Sequence, residues 1–247
     1  MKLLLDIGNT RIKWCTDDNG HLSVGQAIAY KTTDFTQQLQ YHWLKLTESP
    51  CTLAISSVSA KQIAQQLIAI AKQIWPEIKV LNAQSTAHAF SVTNAYQQAE
   101  KLGVDRWLGI IAMQHYYPGN NCIVDCGTAI TIDCLDDKGQ HLGGFISPGL
   151  QLMKQSLQQG TEDLSLNKKE YPVGWSNDTE SAIYSGTLYA AVGLVEKVIK
   201  DLNICNKLIL TGGDAELLAK NLSFESIIEA DFVLKGLSLY CSEGRVR

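Results

Sequence analysis

The sequence has 247 residues, 45% of them hydrophobic, and a formal net charge of −4. That length and apolar content suit one or two cored domains, and an acidic balance with scattered Lys and Arg excludes the basic footprint of a nucleic-acid or anionic-membrane binder. The expected partners are small molecules or a second copy of the chain, with no nucleic acid and no membrane. Lys2 is followed by only Leu3-Leu4-Leu5 before Asp6. A secretory signal needs about 7–15 apolar residues and a membrane span about 20, so a cytoplasmic location is expected.

In chain order, Lys2-Leu3-Leu4-Leu5-Asp6-Ile7-Gly8-Asn9-Thr10 reads as an apolar strand running into Asp-x-Gly. A second β-rich stretch, Arg11 to Thr16, reaches the turn cluster Asp17-Asp18-Asn19-Gly20, where glycine supplies a positive φ. Leu53 to Val58 reads as a buried strand, and Lys61 to Trp75 has the spacing of an amphipathic helix that ends before Pro76. Lys79-Val80-Leu81 is a further short strand. Tyr116-Tyr117-Pro118-Gly119-Asn120-Asn121 is a run of turn formers.

Beyond it the opening pattern returns. Cys122-Ile123-Val124-Asp125-Cys126-Gly127-Thr128 is again an apolar strand entering Asp-x-Gly, followed by Ala129 to Leu135 and the turn Asp136-Asp137-Lys138-Gly139. Asp6 to Asp17 and Asp125 to Asp136 are both 11 residues apart, and the two copies start 119 residues apart. We infer two related α/β halves, residues 1–117 and 118–247. Glu180 to Lys200 reads as a packed helix. Lys207 to Leu210 is a strand entering Thr211-Gly212-Gly213-Asp214, after which Ala215 to Asn221 resumes as a helix. Strands that feed Gly-rich turns opening helices are the usual nucleotide-site geometry of open α/β sheets.

The seven cysteines include no C-x-x-C pair. Cys122 and Cys126 on one strand lie about 13 Å apart at about 3.3 Å per residue, too far for one zinc or one disulfide. All seven are expected to be reduced core residues.

The two Asp-x-Gly hairpins point to phosphate. Gly8 and Gly127 let backbone N–H groups approach a bulky anion, while Asn9 lies in the first turn and Thr10 and Thr128 carry hydroxyls. Lys13 can neutralise charge, and Arg11 is a weaker candidate for the same role. Asp6 and Asp125 offer the oxygen ligands that Mg²⁺ or a monovalent cation prefers. Gly212-Gly213-Asp214, at a strand end, is placed to hold adenine and ribose.

This layout resembles the actin, sugar-kinase and chaperone-ATPase superfamily. The resemblance implies two duplicated ribonuclease-H-like (actin-like ATPase) domains with mixed β-sheets flanked by helices, and a cleft between them. Residues 6–10, Gly103-Val104-Asp105-Arg106, Asp125 to Ala129, Gly143 to Gly149 and Gly212-Gly213-Asp214, in that order, are together similar to type III pantothenate kinase over essentially the whole chain. That implies ATP-dependent phosphorylation of pantothenate to 4′-phosphopantothenate, the first step towards coenzyme A. By the same resemblance Asp105 is the general base, Arg106 binds or positions pantothenate beside Gly103 and Val104, and Tyr96 and Thr179 line the substrate pocket. It further implies ATP contacts at Asp6, Gly8, Asn9, Thr10, Lys13, Gly127, Thr128, Gly212 and Gly213, with Mg²⁺ at Asp6, directly or through water. Asp125 is the implied ligand of K⁺ or NH₄⁺, and a homodimer is implied, the apolar helix at Ala182 to Val195 being a candidate face.

Read alone, Asp105-Arg106 is equally an ion pair capping the following helix, Tyr96 a surface or core aromatic, and Thr179 a helix N-cap. Gly143 to Gly149 reads as structural. The alternatives are a kinase of the same fold acting on another small hydroxylated or carboxylate substrate, and a non-catalytic regulator.

Overall fold

The computed structural model describes residues 1–58, 61–159, 170–202 and 205–243. They divide into two compact units, one of Met1–Tyr116 with Asp231–Arg247 and one of Tyr117–Ala230.

The first unit starts from leucines on alternate faces of one strand. In β1 (Lys2–Ile7), Leu3, Leu5 and Ile7 point to one side of the sheet and Leu4 to the other, and all four are fully buried. β1 pairs antiparallel with β2 (Arg11–Asp18), which carries β3 (His21–Leu22) and β4 (Gln26–Ala29). On its other side β1 pairs parallel with β5 (Thr52–Ser57), which pairs parallel with β6 (Lys79–Asn82). Helices α1 (Phe35–Leu44) and α2 (Lys61–Ile74) cover the Leu3 face through Phe35, Leu39, Trp43, Leu67 and Ile70. The Leu4 face, with Cys15 and Ala54, is covered by α3 (Val104–Tyr116) and by the last helix of the chain, α7 (Phe232–Glu243). A small hairpin, β7 (His88–Ala89) with β8 (Val92–Thr93), precedes α3. α7 brings Gly236 so close to α3 that an added Cβ would stand 2.1 Å from the Leu108 carbonyl oxygen. The first unit is thus built from both ends of the chain.

The second unit repeats the strand order. β9 (Asn121–Cys126) and β10 (Ala129–Leu135) form the antiparallel hairpin, β11 (His141–Pro148) extends it, and β12 (Lys207–Thr211) then β13 (Ile227–Ile228) add in parallel on the far side of β9. The sheet order β11-β10-β9-β12-β13 matches β3-β2-β1-β5-β6 strand for strand, as the sequence repeat implied. α4 (Leu150–Gln159), α5 (Thr179–Leu202) and α6 (Ala215–Ala219) pack on the face made by Cys122, Val124, Ile130, Ile132, Leu208 and Leu210. α5 is long and apolar enough to cross a membrane by length and composition. Its apolar side is used otherwise: Leu188, Ala191, Val192, Val195 and Val198 are buried in this core.

One expectation is corrected. Cys122 and Cys134 are joined by a disulfide, and five cysteines are free. The two stand directly opposite each other across β9 and β10, with Cα atoms 4.2 Å apart. Spacing along one strand, which set Cys122 against Cys126, does not register a partner on the returning strand.

Candidate functional site

The first-unit residues collect at the carboxyl ends of β1 and β5. Gly8 starts the turn between β1 and β2, its N–H donating to the Arg11 carbonyl at 3.0 Å. Asp6 lies across from Lys13 in the β1–β2 register and from Ser56 on β5. The Ser56 hydroxyl donates to Asp6 Oδ1 at 3.0 Å, fixing the carboxylate from the parallel side. The Tyr30 hydroxyl stands 3.0 Å from the Gly8 carbonyl oxygen and 2.6 Å from that of Asn9.

Gly103-Val104-Asp105-Arg106 reaches the same sheet edge. A Cβ placed on Gly103 would stand 3.6 Å from Val58 Cγ1, and Val58 follows the end of β5. Asp105 lies in the first turn of α3 and accepts the Arg106 N–H at 2.7 Å, so its carboxylate serves the helix start while remaining partly exposed. Arg106 is buried, 8% exposed, and its Nη1 donates to the Tyr96 hydroxyl at 2.9 Å. Tyr96 is in turn held by Asn94, whose Oδ1 accepts the Tyr96 N–H at 2.9 Å and whose Nδ2 donates to the Thr86 and Ala99 carbonyls. Tyr96, Asp105 and Arg106 therefore form one connected group.

In the second unit, Gly127-Thr128 is the tight turn between β9 and β10, with the Gly127 N–H on the Ala129 carbonyl at 3.1 Å. Two other glycines press on it. Gly149 donates its N–H to the Thr128 carbonyl at 2.9 Å, and a Cβ there would lie 2.1 Å from the Gly127 carbonyl oxygen. Gly212 has φ +93, and a Cβ there would meet Asp125 Oδ1 at 2.5 Å and the Cys126 carbonyl at 2.6 Å. Only glycine fits both conditions. Gly213 is exposed, and the Asp214 N–H closes the turn on the Cys126 carbonyl at 3.0 Å.

Asp125 and Asp214 converge electrically at the end of β9. Burial pushes the Cys126 thiol up strongly, and both carboxylates push it further. Burial holds Lys154 on α4 below the usual lysine range, with Asp214 acting in the opposite sense. Its Nζ lies 4.4 Å over the Tyr184 ring of α5. Thr179 opens that helix and is exposed, but the cap is its neighbour: Asp178 Oδ1 accepts the Ser181 N–H at 3.0 Å.

Among the described residues, no group of three His, Cys, Asp or Glu side chains stands ready to hold a metal. The donors at the two hairpins are carboxylate and hydroxyl oxygens, Asp6 with Ser56 and Asp125 with nearby Asp214. That set suits a hard cation sharing its coordination with ligand oxygens and water.

A family model for type III pantothenate kinase matches residues 2–201. The chain belongs to the type III pantothenate kinase family. Type III pantothenate kinases from Nitrosococcus oceani and Dichelobacter nodosus are each 36% identical to it, covering 96% and 98% of this chain and 92% and 98% of their own lengths. Among solved structures, a Baf family transcriptional activator from Campylobacter jejuni aligns with TM-score 0.63 at 22% identity, covering 99% of this chain and all of its own. The Clostridium difficile activator of 2-hydroxyisocaproyl-CoA dehydratase, solved with bound ADPNP, aligns with TM-score 0.56 at 14% identity, covering 100% and 98%. At such identities these two likenesses establish the fold, which is that of the actin-like ATPases and sugar kinases. Residues 8–10, 127–128 and 212–214 follow the ends of β1, β9 and β12, whereas Val104 to Arg106 open α3 and Gly143 to Pro148 lie within β11. Ser56, Tyr30 and Asn94, which support the site residues, carried no sequence signal of that role.

Proposed function

We infer that the chain is a pantothenate kinase, transferring the γ-phosphoryl group of ATP to the terminal hydroxyl of pantothenate and so opening coenzyme A synthesis. The family match over residues 2–201, which includes Gly103 to Arg106, carries this reading. Asp105 takes the hydroxyl proton as the oxygen–phosphorus bond forms and the bond to ADP breaks. Such a base contributes about 10²–10⁴-fold, the remainder coming from positioning and charge neutralisation. Arg106, its Nη1 on the Tyr96 hydroxyl, is held ready to bind the pantothenate carboxylate through its planar fork. Gly103 and Val104 shape the turn that presents both side chains, and Thr179 offers a substrate hydroxyl contact beside the Asp178 cap.

Gly8, Asn9, Thr10 and Lys13 of the first unit bind ATP phosphate, as do Gly127 and Thr128 of the second. Gly212 and Gly213 contact the nucleoside. Asp6 would hold Mg²⁺, directly or through water, and Asp125 would hold K⁺ or NH₄⁺; when bound, these ions neutralise phosphate charge. The protein acts in the cytoplasm as a homodimer. The side of α5 turned away from the core exposes the small residues Ala182, Gly186, Ala190 and Gly193 beside the projecting Tyr189 ring, a strip on which a second copy can pack, and sedimentation at one-chain mass would refute the dimer.

Purified protein with Mg-ATP is expected to release ADP only when pantothenate is added, faster with K⁺ or NH₄⁺. Asp105→Asn should lower kcat by about 10²-fold or more while ATP still binds. Turnover of another hydroxylated or carboxylate substrate without turnover of pantothenate would reassign the substrate, and near-normal kcat in Asp105→Asn would remove the base.

A further inference from the structure

Tyr30 follows directly on β4, where Ala29 pairs with Arg11 of β2, so the register brings it alongside the turn that precedes Arg11. Its ring meets Phe35 edge-on at 6.4 Å between centroids and packs against the core under α1. From that anchored ring the hydroxyl reaches two consecutive carbonyls, Gly8 at 3.0 Å and Asn9 at 2.6 Å. The hydroxyl has one proton, so the two carbonyls share it.

The consequence follows from peptide geometry. In a trans peptide the C=O and the following N–H lie in one plane and point in opposite directions. The Gly8 carbonyl shares its plane with the Asn9 N–H, and the Asn9 carbonyl shares its plane with the Thr10 N–H. A donor that draws both carbonyls to one side turns both N–H groups to the other. Successive N–H groups facing one way are the elements of an anion-binding nest. The Gly8 N–H is already committed to Arg11, so the Asn9 and Thr10 peptides are the two whose orientation Tyr30 sets.

We propose that Tyr30 is a positioning residue for the nucleotide, its hydroxyl orienting the Gly8–Asn9 and Asn9–Thr10 peptides towards ATP phosphate. This rests on the reading of the first hairpin as a phosphate loop.

The test is Tyr30→Phe in the full chain, which keeps the ring on Phe35 and removes only the hydroxyl. Mg-ATP binding is measured by calorimetry without pantothenate, and KM is measured for each substrate. One hydrogen bond of ordinary strength corresponds to about fivefold, so Kd and KM for ATP should rise about fivefold. KM for pantothenate should stay unchanged and the thermal midpoint should move by no more than a few degrees. Tyr30→Leu, which also removes the ring, should lower the midpoint further. An unchanged ATP Kd in Tyr30→Phe, or equal losses for both substrates, overturns the proposal. Wild-type protein that binds no ATP overturns the kinase reading and this proposal with it. Wild-type protein that binds ATP but ignores pantothenate overturns only the substrate, and the calorimetric comparison still decides the role of Tyr30.

Discussion

The two hairpins occupy equivalent places in equivalent sheets, yet they are held by different means. The turn after β1 is fixed by side chains from elsewhere in its unit, Ser56 on Asp6 and Tyr30 on Gly8 and Asn9. The turn after β9 is fixed by backbone, with Gly149 and Gly212 packed against it where no side chain fits. Duplication preserved the strand order and the Asp-x-Gly signal while the supports diverged. A loop braced by hydroxyls loses function by degrees when one is removed, whereas a loop braced by close backbone contact fails together with the fold around it.

Substitutions can break this contrast. The largest effect is expected for Gly212→Ala. Forcing an L residue to positive φ costs about 1–2 kcal/mol, and the overlap with Asp125 and Cys126 adds about 1–3 kcal/mol. Urea denaturation should therefore show a loss of about 3 kcal/mol. Tyr30→Phe comes next, with about 1 kcal/mol or less in stability and its main effect on ATP. Gly8→Ala should be the mildest, because an added Cβ meets only the Arg11 carbonyl oxygen at 3.5 Å, an ordinary contact. Its stability should change by less than about 1 kcal/mol. Equal losses for Gly8→Ala and Gly212→Ala would show that both turns are braced alike.

Much of this was legible in the sequence because it is local. The apolar run before Asp6, its echo before Asp125, the helix beginning at Lys61 and the turn at Asp136 each follow from neighbouring residues, and the matching spacing announced the duplication. Asp105 and Arg106 were recognisable from their place in an ordered motif set. What stayed hidden depends on contacts between distant positions. Tyr30 reaches Asn9 from 21 residues away, Ser56 reaches Asp6 from 50, and the Cys122–Cys134 pair requires the register of a hairpin. Thr179 was singled out at the start of α5, but the capping oxygen belongs to Asp178, because the helix begins at Thr179 itself, one residue earlier than a threonine cap requires.

The return of α7 to the first unit has a consequence for biosynthesis. The Leu4 face of the first sheet is covered in part by Val233, Leu234, Leu237 and Cys241, which a ribosome makes only after the whole of the second unit. During translation that half cannot close its core until the second half, contiguous from Tyr117 to Ala230, has been made. The half made first is the half finished last, and a premature stop after Ala230 would spare the younger domain while leaving the older one unsealed.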